Sequence, residues 1–253
     1  MKNSLVKIAQ KTLNYFGYEI TPIWKLEHLE IASHLRDLFR FLDIKCVLDV
    51  GANKGQYRDF LRQHVAYEGL ILSFEPISLL AEHLRTRAGT DSNWEVFPFA
   101  LGSSDKTLAI NVMRSNQFSS FLMPDHTVIK DYKDTNTVDH QEVVSVRQLD
   151  TLMGELKRKW RVQNIYLKLD TQGFDLEVIK GAEKILGDVF ALQSEVSVQR
   201  IYSGMPDYLS TMKLLGEKNF DITGMFPVNR DQCLRVVEFD CVAVNRSVIV
   251  KSE

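Results

Sequence analysis

The sequence predicts an α/β fold, a mostly parallel sheet with helices on both faces. Three observations carry this. Short apolar runs rich in β-branched residues, at 46–50, 70–74, 94–99, 165–169 and 190–196, read as buried parallel strands. Helical patterns stand between them, the alternation that builds a parallel sheet with crossover helices. The earliest of these strands breaks into a turn bounded by two glycines and runs directly into a helical pattern, in Val47-Leu48-Asp49-Val50-Gly51-Ala52-Asn53-Lys54-Gly55-Gln56-Tyr57.

Taken in order, Leu5, Ile8, Ala9, Leu13 and Phe16 recur at helical spacing with Lys2, Lys7 and Lys11 between them. Such a stripe packs on the domain, beside the ligand crevice, or lies on a membrane surface. Residues 26–41 form a second helical stretch. Residues 1–43 are therefore read as an N-terminal helical extension and residues 44–253 as one α/β domain. In the turn that follows, Gly51 and Gly55 let the backbone bend sharply and approach a ligand, with the N–H groups of the next helix presented there. Dinucleotide sites use GxGxxG, whereas these glycines are spaced GxxxG and follow an acid, Asp49. A pyrophosphate would be repelled by that acid; a cationic amino-acid moiety would be held by it. S-adenosylmethionine (SAM) carries such a group. A nicotinamide-dependent oxidoreductase, a non-catalytic cofactor-binding module and a tight turn without a ligand are the competing readings.

The second strand ends Ile71-Leu72-Ser73-Phe74-Glu75-Pro76. An acid about 20 residues beyond a glycine turn is placed for ribose hydroxyls, which assigns Glu75 that role. Pro76 is expected to open a helix over 77–87. Thr107 to Met113 and Glu142 to Val146 alternate like strands, and the polar segment between them, entered through Asn116-Gln117-Phe118-Ser119-Ser120, is read as a cover over the cofactor, part of the acceptor site, or a plain surface insertion. Asp170 ends the fourth parallel strand and Glu195 closes the next. Since ligands in open α/β sheets bind beyond the carboxyl ends of the strands, Asp49, Glu75 and Asp170 are expected to converge on one crevice. Glu195 is equally readable as a solvated strand-end acid. Phe220–Phe226 and Arg235–Asn245 are joined directly by a loop, so they pair antiparallel.

Composition bounds the function. The 253 residues are 45% apolar and 25% charged with a net charge of -2, ordinary for a soluble protein and without the basic footprint of a nucleic-acid partner. Cys46, Cys233 and Cys241 form no CxxC pair and read as reduced thiols. No apolar run reaches membrane-spanning length and no signal-peptide core is evident, so the expected compartment is the cytoplasm.

The segments at 47–57 (VLDVGANKGQY), 73–76 (SFEP), 100–105 (ALGSSD), 146–152 (VRQLDTL) and 167–182 (LKLDTQGFDLEVIKGA) together resemble the FkbM family of SAM-dependent methyltransferases. The resemblance covers most of 45–245. It implies a Rossmann-like class I methyltransferase fold, a seven-stranded sheet with an antiparallel last strand, and O-methylation of a hydroxyl on a sugar, glycolipid or polyketide-type small molecule. The cofactor-binding residues so implied are Asp49, Gly51, Asn53, Gly55, Gln56, Tyr57, Glu75, Pro76, Ala100, Leu101 and Asp170, joined by Ser119 of the inserted segment. An aliphatic hydroxyl is too weak an acid to ionise first, so a general base is expected; Asp170 is the first candidate and Glu195 the second. His126 and His140 lie in the polar segment and are readable as solvated. No metal is assigned, although strand-end acids do not by themselves distinguish a base from a metal ligand. The chain departs from the family pattern at Thr171-Gln172, where an apolar residue and an acid are frequent, and at Asp175, where glutamate is more common; both bear on the acceptor more than on the cofactor.

Overall fold

A computed structural model describes residues 28–129 and 132–249, together with Tyr15 and Leu26. The apolar stripe Leu5, Ile8, Ala9, Leu13 and Phe16 lies outside the described residues, and with it the expectation that it packs beside the crevice.

Seven strands make the main sheet: β1 (Cys46–Val50), β2 (Leu70–Phe74), β3 (Trp94–Phe97), β7 (Ile165–Leu169), β8 (Val189–Ser197), β9 (Phe220–Arg230) and β10 (Val236–Asn245). Their order is β3-β2-β1-β7-β8-β10-β9, with β10 alone running against its neighbours. β1 and β7 are buried along their whole length, which is why they read as continuous apolar runs and not as alternating ones. A second sheet, β4-β6-β5, is built from β4 (Ala100–Leu101), β5 (Lys106–Met113) and β6 (Val138–Arg147).

Two layers of helix bury the main sheet. α1 (Leu29–Phe41) sets Ile31, Leu35, Leu38 and Phe39 into one face, where Phe39 meets Tyr166 with ring centroids 4.7 Å apart. α2 (Gln56–Phe60) continues through a π-helical turn at Leu61–Val65, and α3 (Ser78–Ala88) lies nearby. On the other face α4 (Leu149–Trp160), α5 (Asp175–Lys180) and α6 (Tyr208–Glu217) cover the second apolar core; α7 (Arg246–Ile249) closes the described chain.

The structure corrects three boundaries. The third strand stops at Phe97 and not at residue 99, because Pro98 has no N–H to continue the ladder that ends at Phe74↔Phe97. Pro76 does not open α3; the extended Ile77 is the cap and Ser78 the first helical residue. The C-terminal hairpin is longer than expected, β9 running on through Pro227, which an edge strand tolerates. Among the described residues no helix is long and apolar enough to cross a membrane.

Candidate active site

The glycine turn is held by backbone geometry. Gly51 (φ +82°) and Gly55 (φ +86°) both occupy the left-handed region, and Asn53 joins them at +49°. The amides of Gly51 and Ala52 donate to the carbonyl of Phe74, locking the turn to the end of β2. Gly55 lies off the cavity wall, where any Cβ would meet Arg87, Leu84 and Trp94; its part is to let α2 approach α3, which corrects its expected place as a ligand contact.

Above this turn opens a cavity of about 470 Å³, within the usual range of ligand sites. The other eleven residues expected at the site, Gly51, Asn53, Gln56, Tyr57, Glu75, Pro76, Ala100, Leu101, Ser119, Asp170 and Glu195, all line it. The inserted segment contributes Asn116, Gln117, Phe118, Ser119 and Phe121, so its entry forms part of the cavity wall. His126 Nε2 donates to the carbonyl of Asn136 within the insertion, and His140 is exposed beside Asp139 and Glu142; neither reaches the cavity.

Asp49 is the principal correction. It was expected to converge on the crevice and hold a cationic amino-acid moiety, but it is completely buried and does not line the cavity. Parallel pairing sets Asp49 beside both Ser73 and Lys168 on one face of the sheet. Ser73 Oγ donates to Asp49 Oδ2 at 3.0 Å, and Lys168 Nζ stands 3.4 Å from Oδ1. Its charge therefore meets the lysine, one layer behind the wall.

Lys168 was not foreseen. Its ammonium is 3.2 Å from Asp170 Oδ2 and 4.9 Å from the centroid of the Tyr57 ring. Burial alone would lower its pKa, but Asp170 and Asp49 together raise it above the ordinary lysine value and keep it charged. The available signal was an ionisable residue inside the apolar run Ile165–Leu169, since a buried charge requires a partner. Gln193, Glu238 and Asp240 also line the cavity and were not foreseen; the phenols of Tyr57 and Tyr166 both donate to Gln193 Oε1, at 2.6 and 2.9 Å, and its amide donates to Asp240 at 2.7 Å.

Glu75 is held by two backbone donors. Asn53 N–H reaches Oε2 at 2.8 Å and Ile77 N–H reaches Oε1 at 2.9 Å. Each oxygen keeps a lone pair for a ligand. Burial pushes this carboxyl up to about 7 against the pull of those two donors. Burial likewise raises Glu238 to about 7 and Asp240 to about 6, and it holds Glu195 well above the carboxylate range, with Glu238, Asp170, Asp240 and Asp175 adding to the effect. Among the described residues no group of histidines, cysteines and carboxylates is arranged to hold a metal ion.

These carboxyls give the ligand-free protein a pH signature. Glu75 and Glu238 bind their protons more tightly in the fold than at the ordinary value of 4.5. Their stabilising contribution is full below that value and is lost as pH rises through about 7. The melting temperature of the ligand-free protein is expected to fall between about pH 5 and about pH 8, and Glu238→Gln to flatten part of the fall. Differential scanning calorimetry across that range, with a flat profile for the native chain, would reject this.

The strand order with its reversed tenth strand, and the glycine turn opening onto the carboxyl ends of β1, β2 and β7, define a Rossmann-like class I methyltransferase fold. More particularly, residues 49–222 match the methyltransferase FkbM domain, and the chain belongs to that family. It is similar to a methyltransferase FkbM from Methylobacillus flagellatus KT, at 16% identity and a TM-score of 0.49, covering 80% of this chain and 44% of that one. The chain thus spans less than half the length of that protein. Similar too are magnesium protoporphyrin IX methyltransferase from Synechocystis PCC 6803 with bound SAM (10% identity, TM-score 0.47, 95% and 96% of the two chains) and a SAM-dependent methyltransferase from Aquifex aeolicus (14%, 0.42, 87% and 93%). No curated protein sequence matches the chain.

Proposed function

We propose that this methyltransferase binds SAM in the cavity above the Gly51 turn and methylates a hydroxyl of a small-molecule or glycan acceptor, of sugar, glycolipid or polyketide type. Residues 44–253 are assigned to the catalytic domain and those before them to an extension. The reading is supported by one observation: Glu75, fixed by two backbone amides, lines the same cavity as Asp170 and Glu195. The residues fit the cofactor. Glu75 has lone pairs for two ribose hydroxyls, and Asn53 Oδ1 is a buried acceptor at the cavity with no hydrogen-bond partner among the described residues. The Lys168–Asp170 ion pair offers one charge of each sign to a zwitterionic amino-acid moiety. Ala100 and Leu101 supply an apolar wall for a base.

SAM, when bound, supplies a methyl already activated by its sulfonium. The protein's share is to hold the acceptor oxygen in line, exclude water and take the proton. Asn116–Phe121 cover the cavity and serve the second purpose. Asp170 is the first base by position, at the end of β7. Glu195 is the second, on the same cavity wall, its pKa raised by burial and by the neighbouring carboxyls. The family membership sets aside the nicotinamide reading.

Glu75→Ala is expected to weaken SAM binding roughly ten- to a hundredfold, the loss of about 1.5–3 kcal/mol of charge-assisted hydrogen bonding. Calorimetric titration measures this directly, and undiminished affinity would remove Glu75 from the ribose site. The reaction itself is tested by S-adenosylhomocysteine release over a panel of sugar and polyketide alcohols. Binding of SAM without release on any acceptor favours a non-catalytic module; binding of NAD in its place overturns the reading.

A further inference from the structure

The two candidate bases are joined by one side chain that neither candidate's assignment requires. Gln172 follows β7 in the left-handed region, at φ +54°. Its Nε2 lies 3.1 Å from Asp170 Oδ1 and 2.9 Å from Glu195 Oε2. A primary amide has two N–H groups, one for each carboxyl. Its Oε1 accepts from the hydroxyl of the fully buried Tyr202 at 2.8 Å, and that hydroxyl also lies 2.8 Å from the carbonyl of Phe118. Ser120 Oγ donates to the Gln172 carbonyl at 2.7 Å. The Tyr202 hydroxyl donating to Oε1 leaves both Nε2 N–H groups for the two carboxyls.

We infer that Gln172 is a positioning residue that spaces and orients Asp170 and Glu195, holds them available as proton acceptors, and couples them to the covering segment through Tyr202 and Ser120. The inference rests on reading those two acids as the bases of methyl transfer. The physical need for it is local. Glu195 faces Glu238 and Asp240 from β10, Asp175 from α5 and Asp170 from the end of β7; Lys168 and, behind it, Asp49 stand on the far side of Asp170, and Tyr202 stands beside the amide. Lys168 compensates Asp170, while Glu195 has no ion-pair partner among the described residues. Two N–H dipoles aimed at the two carboxyls stabilise their charged forms and oppose their mutual repulsion. An acid at position 172 would place a third carboxyl between them and remove both donors.

The test uses Gln172→Glu, nearly isosteric, and Gln172→Met, which removes the donors without adding charge. Carboxyl titrations of the ligand-free protein are followed by carbon-13 NMR, with folding checked by near-ultraviolet circular dichroism. The expected result is an upward shift of the Glu195 titration by about one pH unit or more in both variants, larger for the glutamate. In turnover, the acid limb of kcat/KM should move upward by the same amount, with kcat near neutrality down by about tenfold or more and SAM affinity within a few-fold of native. Unmoved titrations in folded variants overturn the inference, as does loss of the folded state in both, which would make Gln172 a structural strut. Because the titrations need no cofactor or acceptor, shifted titrations in a native protein that transfers no methyl group would overturn the proposed function while leaving the local electrostatics established.

Discussion

Asp170→Asn is expected to lower turnover about 10²- to 10⁴-fold, the usual contribution of a positioned base, with SAM affinity within a few-fold of native. The substitution keeps the shape of the side chain. Its amide oxygen can still accept from Lys168, which sits 3.2 Å from Asp170 Oδ2, so the buried ammonium is not left without an acceptor on that side. What disappears is the site for the hydroxyl proton. The side chain is 37% exposed, toward the cavity, whereas Asp49 behind it is 0% exposed; Asp170 can meet a substrate and Asp49 cannot. The measurement is S-adenosylhomocysteine release under single-turnover conditions beside calorimetric SAM titration. Equal losses in both would make Asp170 a cofactor ligand and pass the role of base to Glu195. Restoration of activity by an added divalent ion would recast it as a metal ligand.

Gly51→Ala is expected to destabilise the fold by about 2–5 kcal/mol, combining the left-handed backbone penalty of about 1–2 with about 1–3 for overpacking. A Cβ on Gly51 would stand 1.9 Å from the carbonyl oxygen of Asp170. That oxygen belongs to the backbone leaving β7, and the Asp170 amide is itself bonded to the carbonyl of Val50, so relief requires β1 and β7 to separate at their ends. The loss is a large fraction of the stability of an ordinary domain. Gly154→Ala is the control. That glycine lies in the exposed part of α4 with nothing within 4 Å of its Cβ position, so the change should stabilise by roughly 0.5–1 kcal/mol. Urea unfolding of both variants gives the comparison, and a Gly51→Ala protein as stable as native would show that the turn can relax.

Much of the fold was legible because the strands that matter are buried on both faces. Cys46–Val50, Leu70–Phe74 and Ile165–Leu169 appear in the structure with the boundaries their apolar runs suggested. Ala100–Leu101 was not legible as a strand, since two residues carry no period and pair only because β6 comes alongside. The inserted segment could be marked by its polarity, but that it lines the cavity depended on Tyr202 and Gln172, far along the chain, meeting Phe118 and Ser120.

The sequence by itself determined the alternation of strand and helix, the glycine turn, the placement of acids at strand ends and the family, because hydrophobic period and backbone freedom are properties of neighbouring residues. Only the tertiary structure decided which acids face the ligand. Asp49 and Asp170 are both acids at the ends of parallel strands, yet pairing of β1 with β7 turns Asp49 onto Lys168 and leaves Asp170 on the cavity wall. A carboxylate's role is set by the charges and water it meets, and these come from residues distant in sequence that strand register brings alongside.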